Sequence, residues 1–160
     1  MSKLTHTDSN GKATMVDISH KQETVREATV SVKVILNENT FELIQSNNLK
    51  KGDVLTVAKI AGIQAAKKTS ELIPLCHQIA LDTVDIQFEL DKINSIINII
   101  ATSKTSAPTG VEMEAFCAAS ITAVTIYDMV KAVQKDVVIS ELKLLHKTGG
   151  KSGEFKRTDI

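Results

Sequence analysis

Val25-Arg26-Glu27-Ala28-Thr29-Val30-Ser31-Val32-Lys33-Val34-Ile35-Leu36 is the stretch on which the fold turns. Ala28, Val30, Val32, Val34 and Leu36 alternate with Thr29, Ser31, Lys33 and Ile35, and a period of two sends neighbouring side chains to opposite faces of a strand. The strand therefore has one buried face and belongs to a sheet covered on one side. Working outward, Thr40 to Ser46 reads as a short helix, and Lys51-Gly52 precedes a second helix with Asp53 as its N-cap that runs to about Ser70. Pro74, lacking an amide donor, stops further helix. Leu81 to Leu90 sets Val84, Ile86, Phe88 and Leu90 at period two, and Asp91-Lys92-Ile93-Asn94 turns the chain into Ser95 to Ser103, which completes an antiparallel hairpin. Thr109 to Lys135 is the longest helical segment, and its opening Thr109-Gly110-Val111-Glu112 fits a capping box. Val137 to Leu145 returns to strand character. Strand, helices, strand, strand, helix, strand is the split βαβ order of an α+β, ferredoxin-like sandwich: an antiparallel sheet with helices packed on one face.

The organisation expected is one catalytic-sized domain over residues 22–148, preceded by a polar, partly ordered arm at 1–21 and followed by a flexible Gly/Lys-rich tail at 149–160. With 160 residues and 42% hydrophobic composition the chain suits a single core. Nineteen Lys plus Arg against nineteen Asp plus Glu leave no global basic field, and five aromatic residues offer little base stacking. Nucleic acid is therefore not the expected partner, and any anion site must be local. No apolar run approaches the roughly 20 residues that cross a bilayer, so no membrane is expected either. Cys76 and Cys117, with no secretory leader before them, read as reduced thiols of a cytoplasmic protein.

Few residues stand out as chemistry. Asp128 and Lys131, three apart on the long helix, share one face; a carboxylate beside an amine can tune a lysine for proton transfer, although from spacing alone a surface ion pair is the simpler reading. Glu114 lies fourteen residues before Asp128, about 40° away around the helix but roughly 21 Å along it, so one small ligand does not readily touch both. If both function, they serve the ends of a long ligand or two sites completed by neighbouring subunits. Lys51 sits just before a helix N-terminus, a position that favours anions. Cys76-His77 has no further ligands at zinc spacing, and adjacent residues of an extended segment point apart, so no metal site is expected. Gly150-Lys151-Ser152 is not a P-loop, since Leu145 stands where the first glycine is required, but the segment can still close over a phosphate with Lys151. Arg26 can act as a bidentate phosphate clamp.

A resemblance joins these signals. Leu4-Thr5-His6, Met15-Val16-Asp17-Ile18-Ser19, Lys51-Gly52-Asp53, Ile60-Ala61-Gly62-Ile63-Gln64-Ala65-Ala66-Lys67, Leu72-Ile73-Pro74-Leu75-Cys76-His77, Thr109-Gly110-Val111-Glu112-Met113-Glu114-Ala115, Thr125-Ile126-Tyr127-Asp128-Met129, Lys131-Ala132-Val133-Gln134-Lys135 and Gly149-Gly150-Lys151-Ser152-Gly153 run in the order found in the molybdenum cofactor biosynthesis protein C family, the cyclic pyranopterin monophosphate synthases, which the chain resembles over most of its length. The resemblance implies a lyase that takes the cyclic dihydro-GTP made by an upstream radical SAM enzyme, rearranges its purine-derived part to a pyranopterin, forms a cyclic phosphate and releases diphosphate. It also implies a ferredoxin-like fold in a homo-hexamer, a trimer of dimers with sites at subunit interfaces. Carried onto this chain, it makes Asp128 the acid/base group with Lys51 and Lys131 as partners. Leu75, Cys76, His77, Met113 and Glu114 line the substrate, and Arg26, Glu112, Lys147 and Lys151 are further binding candidates. Two departures are local: Gln78 replaces the usual proline after the histidine, and Ala107-Pro108 replaces a typical Gly-Lys, which removes a cation near the helix start. Gly110 and the helix amides remain available to an anion there. No cofactor is implied with certainty; Mg²⁺ is compatible with diphosphate departure, but the sequence shows no ligand set for it. A catalytically inert nucleotide-binding regulatory module on the same fold is the competing reading.

Overall fold

A computed structural model describes residues 11–151 and 153–158; the first half of the expected arm, Ser152 and the last two residues of the tail lie outside it. The elements are β1 (Thr24–Ile35), α1 (Glu38–Gln45), α2 (Val54–Lys67), α3 (Thr69–Leu72), β2 (Thr83–Asp91), β3 (Ile96–Ala107), α4 (Glu112–Val130), β4 (Val138–Thr148) and β5 (Phe155–Lys156). The strands form one sheet in the order β2-β3-β1-β4-β5, every pairing antiparallel. The first four are arranged as a ferredoxin-like α+β sandwich requires, and β5 adds a short fifth strand against β4.

The alternation in β1 fixes the register. Ala28, Val30, Val32 and Val34 are at most 1% exposed and meet Ile97, Ile99 and Ala101 of β3, which are fully buried. Fully burying a valine or isoleucine contributes roughly 1.5–3 kcal/mol, so a one-residue slip, which would turn this whole row to the open face, is strongly disfavoured. The β2–β3 turn forms as expected, with Asp91 Oδ1 accepting from the amides of Ile93 and Asn94 at 3.0 and 3.1 Å.

α2 and α4 cover the core face through small side chains. Ala58, Gly62, Ala65 and Ala66 of α2 lie against a row on α4 that includes Ala118 and Thr122, and a Cβ on Gly62 would collide with Thr122 Oγ1 and come within 2.8 Å of the Ala118 carbonyl. This close approach holds α4 across the sheet, so its two ends emerge at opposite ends of the molecule. α4 departs from one expectation: at 19 residues, with mean hydropathy 1.3 over its most apolar window, it has the length and composition of a membrane span. Half of that window is buried inside the fold, and its apolar residues are core residues.

The ends of α4 also depart from the sequence reading. The capping box does not form: Val111 occupies the N-cap, no side chain caps the helix, and the Glu112 carboxylate instead takes Lys147 Nζ of β4 at 2.8 Å. The helix stops at Val130 rather than Lys135, because the Val130 carbonyl accepts from both Val133 and Gln134 and the chain turns away. Buried Gln134 then accepts a hydrogen bond from the Asn37 amide at 3.0 Å, which ties this turn to the start of α1.

Candidate active site

At the N-terminal end of α4 the molecule opens into a cleft of about 1080 Å³. Five segments build its walls: the residues before β1, the start of β1 itself, the stretch after α3, the start of α4, and the end of β4 with the glycines that follow. Leu75, Cys76 and His77 enter from the turn, where the Cys76 amide bonds the Ile73 carbonyl at 3.1 Å. Cys76 and His77 follow the turn at Pro74-Leu75 in irregular backbone and not in a strand, and both line the cleft, contrary to the expectation that adjacent residues point apart. Met113 and Glu114 come from the first turn of α4. Arg26, Glu112, Lys147 and Lys151 complete the set, so all nine residues expected to bind substrate share one cleft.

Their polar contacts differ in kind. Glu114 is only 4% exposed and has no cation partner among the described residues; burial, with Glu112 nearby, pushes its carboxyl above the usual carboxylate range. Burial likewise raises the Cys76 thiol, helped by the charges of Glu114 and Cys117, so this cysteine is a neutral wall and not a thiolate nucleophile. Arg26 donates from Nε to the Ala107 carbonyl at 2.9 Å and from Nη2 to the Pro108 carbonyl at 3.2 Å. Its guanidinium thus holds the Ala107-Pro108 dipeptide that leads into α4. Gly149 (φ 93°) passes over the Val25 carbonyl and the stem of Arg26, and Gly150 (φ 75°) over the guanidinium, where a Cβ would fall on Arg26 Nη1. The expected anion position at Gly110 is not free: a Cβ there would land on the Glu112 carboxylate. An anion in this cleft instead meets Arg26, Lys147 and Lys151 across it.

Sequence reasoning missed the near wall. Val16, Ile18, His20, Lys21 and Gln22 line the cleft, and the Val16 carbonyl bonds His77 Nε2 at 2.7 Å. The available signal was the pair of apolar anchors, Val16 and Ile18, inside an otherwise polar arm.

The other three candidates form a separate group at the far end of α4. Asp128 Oδ1 takes Lys131 Nζ at 2.7 Å and Oδ2 takes Lys51 Nζ at 3.5 Å, while Lys51 Nζ also donates to the Asp128 backbone carbonyl at 2.7 Å. Lys51 therefore serves the C-terminal end of α4, where the helix dipole favours a cation, and not the amides of α2; those are capped by Asp53, whose Oδ1 accepts from the Thr56 amide at 3.0 Å. The Lys131 hydrogen bond and charge, with Lys51 behind them, hold Asp128 below the usual aspartate range, and Asp128 in turn holds Lys131 above the usual lysine range. This is opposite to the lowered lysine that proton transfer at neutral pH calls for. All three side chains are about half exposed. Glu112 and Asp128 are sixteen residues apart on α4, roughly 24 Å by helical rise, so one chain does not bring the cleft and the Asp128 group together. Among the described residues no group of three or more His, Cys, Asp or Glu side chains is gathered as metal ligands would be.

Known proteins are similar to this chain over nearly its whole length. A cyclic pyranopterin monophosphate synthase of Heliobacterium modesticaldum is 50% identical over 159 residues, covering 99% of this chain and 100% of that protein. Molybdenum cofactor biosynthesis protein 1 of Homo sapiens is 52% identical over 155 residues, 97% of this chain and 24% of that protein, and the Mus musculus protein of the same name gives the same figures. The chain thus spans about a quarter of the length of these mammalian relatives. The MoaC family model matches residues 15–150, which takes in the Asp128 group and every cleft residue except Lys151, and the chain belongs to the MoaC family.

Proposed function

We propose that this chain is a cyclic pyranopterin monophosphate synthase, a lyase that converts (8S)-3',8-cyclo-7,8-dihydroguanosine 5'-triphosphate, supplied by an upstream radical SAM enzyme, to cyclic pyranopterin monophosphate and diphosphate. The observation that carries the reading is the meeting of a wall of hydrogen-bonding and apolar side chains (Cys76, His77, Met113, Glu114) with cations that include Arg26, Lys147 and Lys151 in one cleft. The first suits a purine-derived ring and the second a triphosphate. In the phosphoryl step a ribose hydroxyl oxygen bonds the α-phosphorus, the bond from that phosphorus to the β-phosphate oxygen breaks, and the hydroxyl proton passes to a base. The cations stabilise the departing diphosphate.

Proton transfers on the ring are assigned to Asp128, Lys131 and Lys51, which lie far from the cleft of their own chain. The proposed homo-hexamer, a trimer of dimers, answers this by setting one chain's Asp128 group over a neighbour's cleft. An apolar groove of about 320 Å³ beside the outer face of α4, where Leu72, Ile73, Phe116, Ile121 and Leu142 converge, supports such an interface. Covering Lys131 in that way would also desolvate it and bring its proton affinity down toward neutral pH. The two free cysteines fit a cytoplasmic location.

Incubation of the purified chain with enzymatically prepared cyclic dihydro-GTP, with pterin and diphosphate followed in one time course, tests the proposal. Equal yields of both, lost in Lys131→Ala, are expected; tight binding without either product identifies a nucleotide-binding regulatory module instead.

A further inference from the structure

The contact between His77 and the segment before β1 constrains the ring chemically. A backbone carbonyl can only accept, so the nitrogen 2.7 Å from the Val16 oxygen, Nε2, must carry a proton. No donor among the described residues reaches Nδ1. The acceptor is itself held in place. The Ser19 amide donates to Asp17 Oδ1 at 2.9 Å, and the Lys21 amide bonds the Ile18 carbonyl at 3.0 Å, so residues 17–21 form a closed turn. Val16 and Ile18, both half-buried, fix that turn to the cleft wall. A histidine whose one nitrogen is committed to a fixed carbonyl has a defined tautomer and ring orientation, as in metal sites where an outer hydrogen bond sets which nitrogen is the ligand.

We infer that the Val16 carbonyl is a positioning group that fixes the His77 ring with its proton on Nε2, so that in the uncharged ring Nδ1 is the lone-pair acceptor for an N–H or O–H donor on the ligand in the cleft. Under the proposed function that donor is a ring N–H or hydroxyl of the reduced purine, and only this identification rests on that reading. The arrangement gives the short turn a purpose beyond covering the cleft: it makes His77 an acceptor before any ligand arrives, with no tautomer exchange on binding. Asp17 of the turn carries its charge beside both His20 and His77, and His20 and Lys21 of the turn, with Cys76 and Glu114 from the other walls, line the same cleft.

The full chain is labelled with ¹⁵N-histidine, and the ring nitrogens of His77, assigned by comparison with His77→Asn, are read by long-range ¹H–¹⁵N correlation above the ordinary imidazole titration range. A protonated Nε2 with a bare Nδ1 is expected. A proton on Nδ1, a rapidly exchanging mixture, or a doubly protonated ring overturns the inference. In the double variant Val16→Gly/Ile18→Gly, which loosens the turn at two half-buried positions outside the main core, loss of the tautomer preference is expected; an unchanged preference overturns the role of Val16. Neither readout requires turnover, so a chain without synthase activity would leave the tautomer result standing, and an active synthase with the other tautomer would overturn this inference alone.

Discussion

Lys51 grips Asp128 twice, through the backbone carbonyl at 2.7 Å and through the carboxylate at 3.5 Å, and so ties the loop before α2 to the last turn of α4. The same carboxylate holds Lys131 on its other oxygen. One aspartate thus keeps two lysines together at a surface where like charges would otherwise separate.

Lys51→Ala, Asp128→Asn and Lys131→Ala should each lower kcat by roughly 10²–10⁴-fold, the usual contribution of a positioned acid or base. The melting temperature should stay near that of the parent, because the side chains are half exposed. The small stabilisation has a defined pH window. Asp128 is lowered in the fold, so its share is present above its unfolded value of 3.8 and is lost as pH falls through the lower folded value. Lys131 is raised, so its share is present below 10.5 and is lost as pH climbs through the higher folded value. Melting curves of the parent and Asp128→Asn that converge at low pH, alongside the loss of kcat, would agree with this assignment; full activity in the variants would remove these residues from the chemistry.

Glu114 has the opposite sign. Its carboxyl is raised by burial, so the folded state holds the proton more tightly than the unfolded chain and loses stability as pH rises from 4.5 through the folded value. Glu114→Gln should therefore melt higher than the parent at neutral pH, with the gap closing below about pH 4.5. Thermal melts of both proteins across this range check it, and a variant less stable at neutral pH would mean the carboxylate has a cationic partner in solution.

The difference between what could and could not be read beforehand follows from the range of the interactions. β1 was legible because half-burial imposes a period of two on residues that sit next to each other, and Asp53 as a cap because its partner, Thr56, is three residues away. Glu112 was misread because its partner, Lys147, is thirty-five residues on and wins the carboxylate from the helix amides. The early end of α4 depends on Gln134 reaching Asn37, and the near wall of the cleft on His77 reaching Val16; both are tertiary contacts without a local pattern. Helical arithmetic did recover the axial separation of Glu114 and Asp128, since rise per residue is independent of context.

Gly150→Ala should disturb the cation end of the cleft. The new Cβ would meet the Arg26 guanidinium at a φ of 75°, which an alanine rarely adopts, so a loss of stability of at least ~1 kcal/mol is expected. Arg26 would also be pushed from the Ala107 and Pro108 carbonyls. Under the proposed function KM should rise more than kcat falls, because the damage is to triphosphate binding and not to the Asp128 group. Steady-state kinetics with a melt of the same sample separates the two effects; an unchanged KM would place the triphosphate elsewhere.

The separation of about 24 Å along α4 sets the most demanding test of the proposed assembly. If each site takes its cleft from one chain and its Asp128 group from a neighbour, a chain carrying His77→Ala and one carrying Asp128→Asn are each inactive alone, yet a mixed pair contains one site free of both substitutions. Random mixing of equal amounts makes half of the pairs mixed, and one of the two sites in each is intact, so about a quarter of parental activity should return by two-fold symmetry. A site confined to one chain gives no recovery, since every chain in the mixture carries a defect. The mixture must be unfolded and refolded together, or co-expressed, so that chains exchange. Recovery near a quarter would establish that this chain completes its neighbour's site, whereas none after verified exchange would require a large rearrangement within one chain to bring Asp128 to its own cleft.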